Sequence, residues 1–537
     1  MKPTRHVPVL IVGGGPVGLA LAGELGWRGI ACELVEQSDG VITTPKMNEV
    51  NTRTMEFCRR WGIAEAVRNC PFPADHPLDV VFVTSMSGHE LARMRRPSRA
   101  RQHAGDDSPE HLQICSQLWF DPMLQAFAGS QPTVKLRYRT RLAGFDASAD
   151  GVAAQLHDLE SGRSETISAD YLVGCDGASS EVREALGVPM QGKGALGYPL
   201  HLYFRAPDLF ARCGREPGVF FLTIDRGGMW ANVRFIDPAN DLWRLMVLDS
   251  GGRQTPETVD RAALLERAIG RPFEVEWKGL SIWTRRSVVA EHYGKGRVFL
   301  AGDAVHQLSP TGALGMNTGI GDAVDLGWKL AAVLQGWGGG KLLDAYEAER
   351  RPVGLRNVRT ATEFYFSLGE PDADAAAIED DSAAGRLLRE RLGESLTKNV
   401  GRMFRTMGMQ LGYRYDSSPI CVGDGVGPPD DPERYVPSAH PGSRAPHCWL
   451  RDGRSILDLF GRGFVLLRFA AAPTTALEQA ALARGVPLTV VDRDEPEAIA
   501  LYERCLVLVR PDGHVAWRGD AVPADAAALI DRVRGAI

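Results

Sequence analysis

The sequence predicts an α/β protein built from about three domains, and two patterns lead to this prediction. A short apolar run, VPVLIV, leads directly into the glycine-rich stretch GGGPVG and then into the helical run LALAGELGWRG, an order typical of a strand, a tight turn and a helix. Between about residues 190 and 285, apolar and polar residues instead alternate with a period of two, which is typical of antiparallel strands. The length of 537 residues fits about three domains of ordinary size.

The composition is that of an ordinary globular protein. Hydrophobic residues make up 44% of the chain and charged residues 24%, and the formal net charge is −6. A charge this small gives no indication of nucleic acid or an anionic membrane as a partner, and no apolar run approaches the roughly 20 residues of a membrane span. We therefore expect a cytoplasmic protein with a small-molecule ligand and with neither nucleic acid nor membrane as a partner.

The nine cysteines are scattered along the chain and contain no Cys-x-x-Cys pair. This spacing argues against a disulfide framework, a zinc site and a thioredoxin-type redox centre, so we expect no bound metal. The free thiols that it implies fit a reducing compartment.

The glycines of the opening turn predict a dinucleotide-binding site. Gly13, Gly15 and Gly18 stand at G-x-G-x-x-G spacing, with Pro16 in the same turn. The first glycine makes the tight turn, the second lets the backbone approach a pyrophosphate, and the third lets the helix pack close to the strand. Glu36 ends the next strand, where a carboxylate accepts hydrogen bonds from an unphosphorylated adenosine ribose, and this favours FAD or NAD over NADP. A tight turn that holds no ligand is the alternative.

Two later stretches repeat the order of strand, turn and helix. DYLVGCDGASSEVREALGV (170–188) has a sharp turn at Asp176-Gly177, and GRVFLAGDAVHQLSPTGALGMNTGIGDAVDLGWKLAAVL (296–334) has a strand, a glycine-rich loop and a helix from about Met316. Together with the first motif, these stretches resemble the motifs of the single-component flavin-dependent aromatic hydroxylases, the group-A flavoprotein monooxygenases. All three motifs occur in the family's order, spread over about 320 residues.

The resemblance implies a Rossmann-like FAD-binding domain of the glutathione-reductase type, tightly but non-covalently bound FAD, and an antiparallel-sheet substrate domain. NADPH or NADH would be a transient co-substrate, since no second complete dinucleotide motif occurs, and O2 would be the oxidant. Carried onto this sequence, Asp303 would bind the ribityl hydroxyls, loop 312–315 would approach the isoalloxazine ring, and Asp176 and Arg183 would serve both flavin and nicotinamide coenzyme. The resemblance thus assigns cofactor binding to Gly13, Gly15, Pro16, Gly18, Glu36, Lys46, Gln117, Asp176, Arg183, Asp303, Pro310, Gly312, Gly315, Met316 and Asn317.

The chain departs from the family pattern at two positions. Lys46 stands where arginine is usual, which keeps the charge but loses the planar guanidinium group, and Leu314 replaces a polar residue of the glycine loop. Gln117, in contrast, matches the family's Q-x-x-x-E/D-x-x-L pattern, and we expect it to contact the flavin.

The antiparallel strands, with an earlier hairpin in LDVVFVTSMSGHELARMRR, are expected to cover the flavin ring and line a substrate pocket. Strand alternation places His201 and Tyr203 on one face, where a polar group could draw off a phenolic proton. By analogy with the family, Asn48 and Pro310 flank the flavin loops, and these four residues are the catalytic candidates. For each candidate on the strands, an ordinary packed or solvated sheet residue is the alternative. The substrate-binding candidates are Trp230, Asn232, Arg234 and Arg244.

The C-terminal part resembles the thioredoxin-like domain of the phenol-hydroxylase and polyketide-hydroxylase subgroup, most closely in LVRPDGHVAWR. Without a Cys-x-x-Cys pair, we expect a structural or oligomerisation role there, which includes a homodimer. The predicted division is a discontinuous FAD-binding domain (1–75, 105–190 and 285–370), a substrate-sheet domain (76–104 and 191–284), a helical connector (371–420) and the thioredoxin-like domain (421–537).

The resemblance implies NAD(P)H- and O2-dependent hydroxylation of a phenolic ring through a C4a-hydroperoxyflavin. A flavin-dependent epoxidase or halogenase on the same fold is one alternative, although the halogenase signature W-x-W-x-I-P is absent from the sequence. A flavin dehydrogenase or oxidase is another. From a different class, a non-catalytic dinucleotide-binding escort protein also stays open at this point.

Overall fold

The computed structural model describes residues 3, 5–103, 105–368 and 377–537. The strands among these residues are β1 (His6–Val12), β2 (Cys32–Val35), β3 (Glu49–Val50), β4 (Val80–Val83), β5 (Glu90–Met94), β6 (Gln113–Ile114), β7 (Val134–Arg137), β8 (Thr140–Ala147), β9 (Val152–Asp158), β10 (Ser164–Gly174), β11 (Met190–Gly197), β12 (Leu200–Arg205), β13 (Phe220–Asp225), β14 (Gly228–Asp237), β15 (Leu242–Val247), β16 (Glu276–Ile282), β17 (Arg285–Ala290), β18 (Gly294–Lys295), β19 (Val298–Leu300), β20 (His306–Gln307), β21 (Phe464–Arg468), β22 (Leu488–Asp492), β23 (Leu506–Val509) and β24 (Val515–Gly519). The helices are α1 (Pro16–Trp27), α2 (Thr52–Trp61), α3 (Ala64–Arg68), α4 (Gln117–Gly129), α5 (Glu181–Ala185), α6 (Leu209–Arg212), α7 (Arg261–Ile269), α8 (Gly315–Leu334), α9 (Asp344–Phe366), α10 (Ala383–Asn399), α11 (Met407–Leu411), α12 (Thr475–Ala483), α13 (Pro496–Tyr502) and α14 (Ala526–Val533).

The opening motif forms a βαβ unit at the centre of an eight-stranded sheet. The main path of this sheet runs β18-β19-β10-β1-β2-β7, and β1 pairs in parallel with β2 on one side and with β10 on the other. Val9, Leu10 and Ile11 of β1 are fully buried, as expected for a central parallel strand that is covered on both faces. Helix α1 connects β1 to β2 and packs against the long helix α8. Because β1, β10 and β19 run in parallel, the turns that follow them meet at one edge of the sheet.

A seven-stranded sheet forms the second unit, in the order β16-β12-β15-β14-β13-β4-β5. Strands β12, β15, β14 and β13 pair antiparallel in that order, and the predicted hairpin β4–β5 joins them through the parallel pair β4–β13. Leu202, Val233 and Leu245 on one face pack against α7 and form a separate hydrophobic core. On the opposite face, Phe82, Leu222 and Met246 share a core with Phe364 of α9 and Leu388 of α10.

A four-stranded mixed sheet, in the order β22-β21-β23-β24, forms the C-terminal unit. Strands β21 and β22 are parallel and are joined by α12, whereas β23 and β24 are antiparallel. This unit packs on α8, where Trp328 stacks on Trp337 at a ring-centre distance of 6.3 Å and Phe464 contacts both rings. The predicted fold class, a Rossmann-like α/β domain with an antiparallel substrate sheet and a thioredoxin-like C-terminal unit, is confirmed.

Helices α9, α10 and α11 lead from the first unit to the C-terminal one. Residues 369–376, at the predicted junction of the FAD-binding domain and the connector, lie outside the described residues, as do residues 1, 2, 4 and 104. In the part of the chain that the structure describes, no helix is both long enough and apolar enough to cross a membrane.

Candidate active site

A cavity of about 610 Å³ lies between the edge where the parallel strands end and the seven-stranded sheet. The turns after β1, β2, β10 and β19 form one side of it, and β13, β14 and β15 form the other. Three motifs that are far apart in sequence therefore converge on one space. Of the predicted site residues, the cavity is lined by Gly15, Pro16, Glu36, Lys46, Asn48, Gln117, Asn232, Arg234, Arg244, Asp303, Pro310, Gly312, Gly315, Met316 and Asn317.

Each glycine of the first motif has a distinct steric environment. Gly13 has a φ of +109°, and a Cβ there would lie 2.4 Å from the carbonyl oxygen of Cys175. A Cβ on Gly18 would lie 2.0 Å from the Gly13 carbonyl oxygen, so these two glycines close the turn and seat α1. A Cβ on Gly15 would meet no protein atom within 4 Å, since this residue faces the cavity. Gly15 thus leaves room for an anionic ligand at the start of α1.

Glu36 is fixed at the cavity edge beside this turn. Its carboxylate accepts a hydrogen bond from Gly14 N at 2.7 Å and another from Ser38 N at 2.7 Å. Carboxylate oxygens held in this way keep further lone pairs for ribose hydroxyl groups. The position fits an unphosphorylated adenosine ribose, as the sequence predicts.

The loop after β19 brings Asp303 and the start of α8 to the cavity. The Asp303 carboxyl group opens into this space, and burial among the surrounding loops raises its pKa. Gly302 has a φ of +65°, and the Val17 side chain lies 2.9 Å from where its Cβ would stand, so a larger residue would push the loop away from α1. Helix α8 begins at Gly315 without a side-chain cap, which leaves the N–H groups of its first turn without intrahelical acceptors.

These features together fit FAD. Gly15 offers a pyrophosphate close access to the backbone, Glu36 offers acceptors to a ribose, and Asp303 offers a carboxyl group to the ribityl hydroxyls. The positive end of the α8 dipole suits the negative charge of a reduced isoalloxazine ring. All of these groups face one cavity, so a single extended dinucleotide can engage them together.

The middle motif holds loops together behind the cavity wall. Asp176 Oδ2 accepts a hydrogen bond from a backbone N–H in the first turn of α5 at 3.1 Å, and Arg183 Nη1 donates to the Ala304 carbonyl oxygen at 3.2 Å. Among the described residues of this motif, Gly177 and Ala178 line the cavity instead. These two contacts fix the turn and the adjoining loop, whereas Asp176 Oδ1 is buried without a hydrogen-bond partner among the described residues. The role of Asp176 and Arg183 in cofactor binding therefore stays a prediction.

Asn317 and Gln117 line the cavity but use their side chains on protein groups. Asn317 Oδ1 accepts hydrogen bonds from Asn51 N at 3.0 Å and Thr54 Oγ1 at 2.8 Å, and its Nδ2 donates to two carbonyl oxygens. Gln117 Oε1 accepts from Lys46 N at 2.9 Å. The side-chain amides of Asn317 and Gln117 therefore hold the flavin loops in place. Both residues still line the cavity, where a cofactor can contact their surface and their backbone.

The two departures from the family pattern have different consequences. Leu314 is 2% exposed and packs with Ala361 and Met409, so this apolar replacement faces the core. Lys46 is exposed and lines the cavity, with its backbone held by Gln117. The cation thus stays at the cavity, without the planar hydrogen-bonding group of an arginine.

The seven-stranded sheet gives the cavity an apolar wall. Asn232 lies in the middle of it, paired in register with Leu222 and Met246 on the neighbouring strands. This asparagine is 1% exposed, and its Oδ1 has no hydrogen-bond partner in the described part of the chain. A buried acceptor without a donor costs free energy unless a ligand supplies one, so Asn232 marks a polar anchor within the wall. The apolar residues around it are Phe220, Leu222, Met229, Met246, Leu248, Leu368, Met403 and Phe404.

A β-bulge moves Trp230 to the opposite face of this sheet. The pairing of β13 with β14 shifts register between Thr223 and Ile224, which leaves Trp230 as the extra residue. Met229 takes the cavity face, whereas Trp230 packs with the core on the other face, under the Arg267 guanidinium carbon at 3.9 Å from the ring centre. The prediction that Trp230 lines the substrate pocket is wrong, because strict alternation does not allow for a bulge.

His201 and Tyr203 share one face of β12, as predicted, but neither belongs to the described residues that line the cavity. The Tyr203 hydroxyl donates to the Pro45 carbonyl oxygen at 2.7 Å and lies 3.3 Å from His201 Nδ1. The His201 ring packs edge-on against Trp283, which does line the cavity, at a centre distance of 5.5 Å. Burial, reinforced by nearby arginine charges, holds the His201 pKa well below its usual range. The two side chains thus lie beside the cavity lining, next to Trp283, and their role in catalysis stays a prediction.

Four arginines line the cavity, and one of them, Arg286, donates to Gln307 Oε1 at 3.2 Å. Arg234 donates to Glu49 Oε1 at 2.8 Å and is thereby paired with a carboxylate. Arg244 and Arg285 are 5% and 0% exposed, and burial lowers the pKa of each. The sequence prediction missed Arg285 and Trp283, since the only signal in SIWTRRSVVA is a pair of arginines at the start of an apolar strand.

The sequence matches two family models, an FAD binding domain over residues 6–361 and the C-terminal domain of aromatic-ring hydroxylases over residues 438–536. The 4-methyl-5-nitrocatechol 5-monooxygenase of a Burkholderia species is 33% identical over 100% of this chain and 98% of its own length. The crystal structure of RebC with bound 7-carboxy-K252c is 41% identical, with a TM-score of 0.92 and complete coverage of both chains. The flavin-dependent monooxygenase PieE, in complex with FAD and substrate, is 31% identical, with a TM-score of 0.89 and complete coverage of both chains.

These similarities extend over the whole length of the chain, and the FAD-binding model alone covers more than half of it. They agree with the geometry of the cavity and confirm the predicted enzyme class, with FAD as cofactor and NAD(P)H and O2 as co-substrates. The chain belongs to the FAD-dependent aromatic-ring monooxygenases.

Proposed function

We propose that this monooxygenase hydroxylates an extended phenolic substrate with two or more fused aromatic rings. The apolar wall of the cavity carries the proposal. Neighbouring strands lie about 4.8 Å apart, so the cavity-facing residues of β13, β14 and β15 span about 10 Å across the sheet. Phe220 and Leu222 extend this surface by about 7 Å along one strand. A single ring would leave much of the wall without contact, whereas a fused ring system covers it.

The polar groups in and beside this wall fit a phenol. The side-chain oxygens of Asn232 and Asn48 are buried without hydrogen-bond donors in the described structure, and both residues line the cavity. A phenolic hydroxyl that donates to Asn232 would satisfy one of them and fix which ring carbon faces the flavin side. Sharing the phenolic proton also makes the ring richer in electrons, which favours attack on an electrophilic oxygen. FAD, when bound, supplies the redox chemistry between NAD(P)H, O2 and the ring.

The similar proteins support a substrate of this kind. RebC binds 7-carboxy-K252c and is 41% identical to this chain, whereas the relative named for a nitrocatechol is 33% identical. This chain is more similar in sequence to RebC than to the nitrocatechol monooxygenase. The difference in identity favours a ligand like 7-carboxy-K252c over a single-ring catechol.

We infer that the enzyme works in the cytoplasm and that its C-terminal unit is structural. All nine cysteines are free thiols, which fits a reducing compartment. The C-terminal sheet buries Phe464 against Trp328 and Trp337, so its apolar surface is used within one chain. The homodimer expected from the sequence stays a prediction. Light scattering of the purified protein distinguishes a homodimer from a monomer.

Steady-state kinetics with a graded panel tests the proposed substrate class. FAD-loaded enzyme is assayed with NADH and with NADPH against phenol, 2-naphthol and 2-hydroxyanthracene, and coenzyme consumed, hydroxylated product and hydrogen peroxide are measured together. We expect kcat/KM and the ratio of product to coenzyme to increase with the number of rings. Met246→Trp fills part of the wall and should reduce turnover of the three-ring phenol while sparing phenol itself. Faster and better coupled turnover of phenol than of the larger rings would contradict the proposal.

A further inference from the structure

We propose that Arg285, together with Arg244 and the indole of Trp283, binds a carboxylate group of the substrate. This inference rests on the proposed function, because it assigns an anionic substituent to the same aromatic ligand. It adds a specificity-determining site to the cavity, distinct from the apolar wall and from the flavin loops.

The guanidinium group of Arg285 is buried and has no ion-pair partner among the described residues. Its side chain is 0% exposed and lines the cavity, and none of its three nitrogens has a hydrogen-bond partner within the described residues. Its guanidinium carbon lies 4.2 Å from the ring centre of Tyr365, so the cation rests on an aromatic face. Asp249, whose charge acts on Arg285, accepts backbone hydrogen bonds from Tyr198 and Gly251 instead. Burying a cation without a negatively charged partner costs folding free energy, and a bound anion would offset that cost.

The unpartnered groups beside Arg285 are also donors. Trp283 Nε1 and Arg244 Nε are buried, belong to residues that line the cavity, and have no acceptor in the part of the chain that the structure describes. The Arg285 guanidinium carbon lies 5.9 Å from the Trp283 ring centre, and the His201 ring packs against the same indole at 5.5 Å. Arg244 is paired in register with Tyr203, two residues after His201 on β12, so both arginines lie beside this aromatic cluster. A carboxylate is acceptor-only and can take several such hydrogen bonds, two of them from one planar guanidinium group.

The placement of these donors favours the substrate over the coenzyme as the source of the anion. Arg244 lies two residues before Met246 on β15, on the same cavity-facing side of the strand as the apolar wall. The access for a pyrophosphate is at Gly15, across the cavity at the start of α1. Arg234 is already neutralised by Glu49, and Lys46 and Arg286 of the cavity lining are exposed to solvent. Among the described residues, Arg244 and Arg285 are the buried cations of the lining that have no ion-pair partner.

Equilibrium binding to the holoenzyme tests the proposal without turnover. The probes are 6-hydroxy-2-naphthoic acid and its methyl ester, followed by the change in flavin absorbance. We expect the acid to bind about 10- to 100-fold more tightly than the ester to the parent enzyme, the range for hydrogen bonds to a charged group. Arg285→Gln should abolish the difference while leaving ester binding unchanged, and Arg285→Lys should retain part of it.

The matched control is Arg205→Gln. Arg205 is a cation on β12 of the same sheet, but it is half exposed and pairs loosely with Glu276 at 3.9 Å, away from the cavity lining. This variant should keep the preference for the acid. Equal binding of acid and ester by the parent enzyme, or loss of the preference in Arg205→Gln to the same extent as in Arg285→Gln, would overturn the proposal.

Two further readouts separate this site from other roles of Arg285. Since the cation has no ion-pair partner among the described residues, Arg285→Gln should unfold at about the same temperature or a higher one. A marked decrease would show that Arg285 is structural. If Arg285→Gln raises KM for NADPH and leaves the acid-to-ester ratio intact, the arginine serves a coenzyme phosphate and the proposal fails. Binding of the acid without hydroxylation would count against the proposed function alone.

Discussion

Arg510 of the C-terminal unit and Glu349 of α9 form an ion pair in which both side chains are 0% exposed. Arg510 Nη2 donates to Glu349 Oε2 at 2.9 Å, and Lys329 of α8 donates to the same oxygen at 2.5 Å. Arg510 also pairs with Asp512 at 2.7 Å. These buried charges tie the C-terminal sheet to α8, the helix whose first residues line the cavity.

Replacement of one partner in this ion pair should weaken the attachment of the C-terminal unit. Arg510→Met leaves Glu349 buried with fewer donors, and loss of one partner in a buried pair costs about 3–5 kcal/mol. We expect a decrease of that size in the free energy of unfolding by urea, together with faster proteolysis between the units. Arg451→Met is the control, because its ion pair with Asp494 is 64% and 78% exposed and contributes at most about 1 kcal/mol. Equal effects of the two substitutions would contradict this interpretation.

Glu56 should make stability depend on pH in the acid range. Burial alone would raise the pKa of Glu56, but the charges of Arg444 and Arg53 outweigh it and lower the pKa from 4.5 to about 2. A folded-state pKa below the unfolded value gives a stabilisation that is complete above pH 4.5 and lost as the pH falls towards 2. The full contribution is about 3 kcal/mol by linkage.

The measurement compares the free energy of unfolding of the parent enzyme and of Glu56→Gln from neutral pH down to the lowest pH at which both stay folded. The advantage of the parent enzyme should shrink steadily below pH 4.5. An advantage that stays constant across this window would mean that Glu56 is not held ionised by Arg444 and Arg53.

Replacement of Gly15 or Gly18 by alanine should affect two different properties, FAD binding and the stability of the apoprotein. The Gly18→Ala methyl group would lie 2.0 Å from the Gly13 carbonyl oxygen, so we expect a loss of at least 1–3 kcal/mol of stability, about the cost of overpacking a core. The Gly15→Ala methyl group meets no protein atom and should leave the stability of the apoprotein unchanged while weakening FAD binding. Thermal unfolding of the apoprotein and fluorescence titration with FAD separate the two effects; equal FAD affinity in Gly15→Ala and the parent enzyme would contradict the assigned role of Gly15.

Asn232 and His201 should contribute unequally to turnover. Asn232→Ala removes a buried acceptor within the wall and should lower kcat/KM for a two-ring phenol by about tenfold, the lower range for a hydrogen bond to a partly charged group. His201 is held neutral behind Trp283, so His201→Gln should reduce kcat/KM less and should leave the shape of its pH profile between pH 6 and 8 unchanged. A titration in that window that disappears in His201→Gln would show that His201 exchanges a proton during the reaction.

The sequence allowed most of the fold and the flavin loops to be predicted because their determinants are local. The spacing of Gly13, Gly15 and Gly18 fixes a turn whose steric roles depend on neighbouring residues, and the structure shows each role separately. Alternation along β12 likewise places His201 and Tyr203 on one face. Whether that face is open depends on a distant segment at Pro45, which covers Tyr203, and no pattern within the strand carries this information.

The substrate side was harder to predict because its geometry depends on pairing between distant segments. The position of Trp230 is set by a register shift between β13 and β14, which appears only when the two strands are paired. The environment of Arg285 is built from Tyr365 on α9 and Trp283 before β17, and the adjoining Arg244 comes from β15. One carboxylate oxygen of Asp176 accepts a hydrogen bond from α5, a tertiary contact that its motif does not reveal.

The most direct test of the central claim is a reaction under ¹⁸O2 with FAD-loaded enzyme, NAD(P)H and 2-naphthol, analysed by mass spectrometry. We predict a hydroxylated naphthalene that carries one ¹⁸O atom, formed in proportion to the coenzyme consumed and with little hydrogen peroxide. A product without ¹⁸O, or coenzyme oxidation that yields only hydrogen peroxide with every fused-ring phenol, would contradict the assignment of this cavity to the hydroxylation of extended phenols.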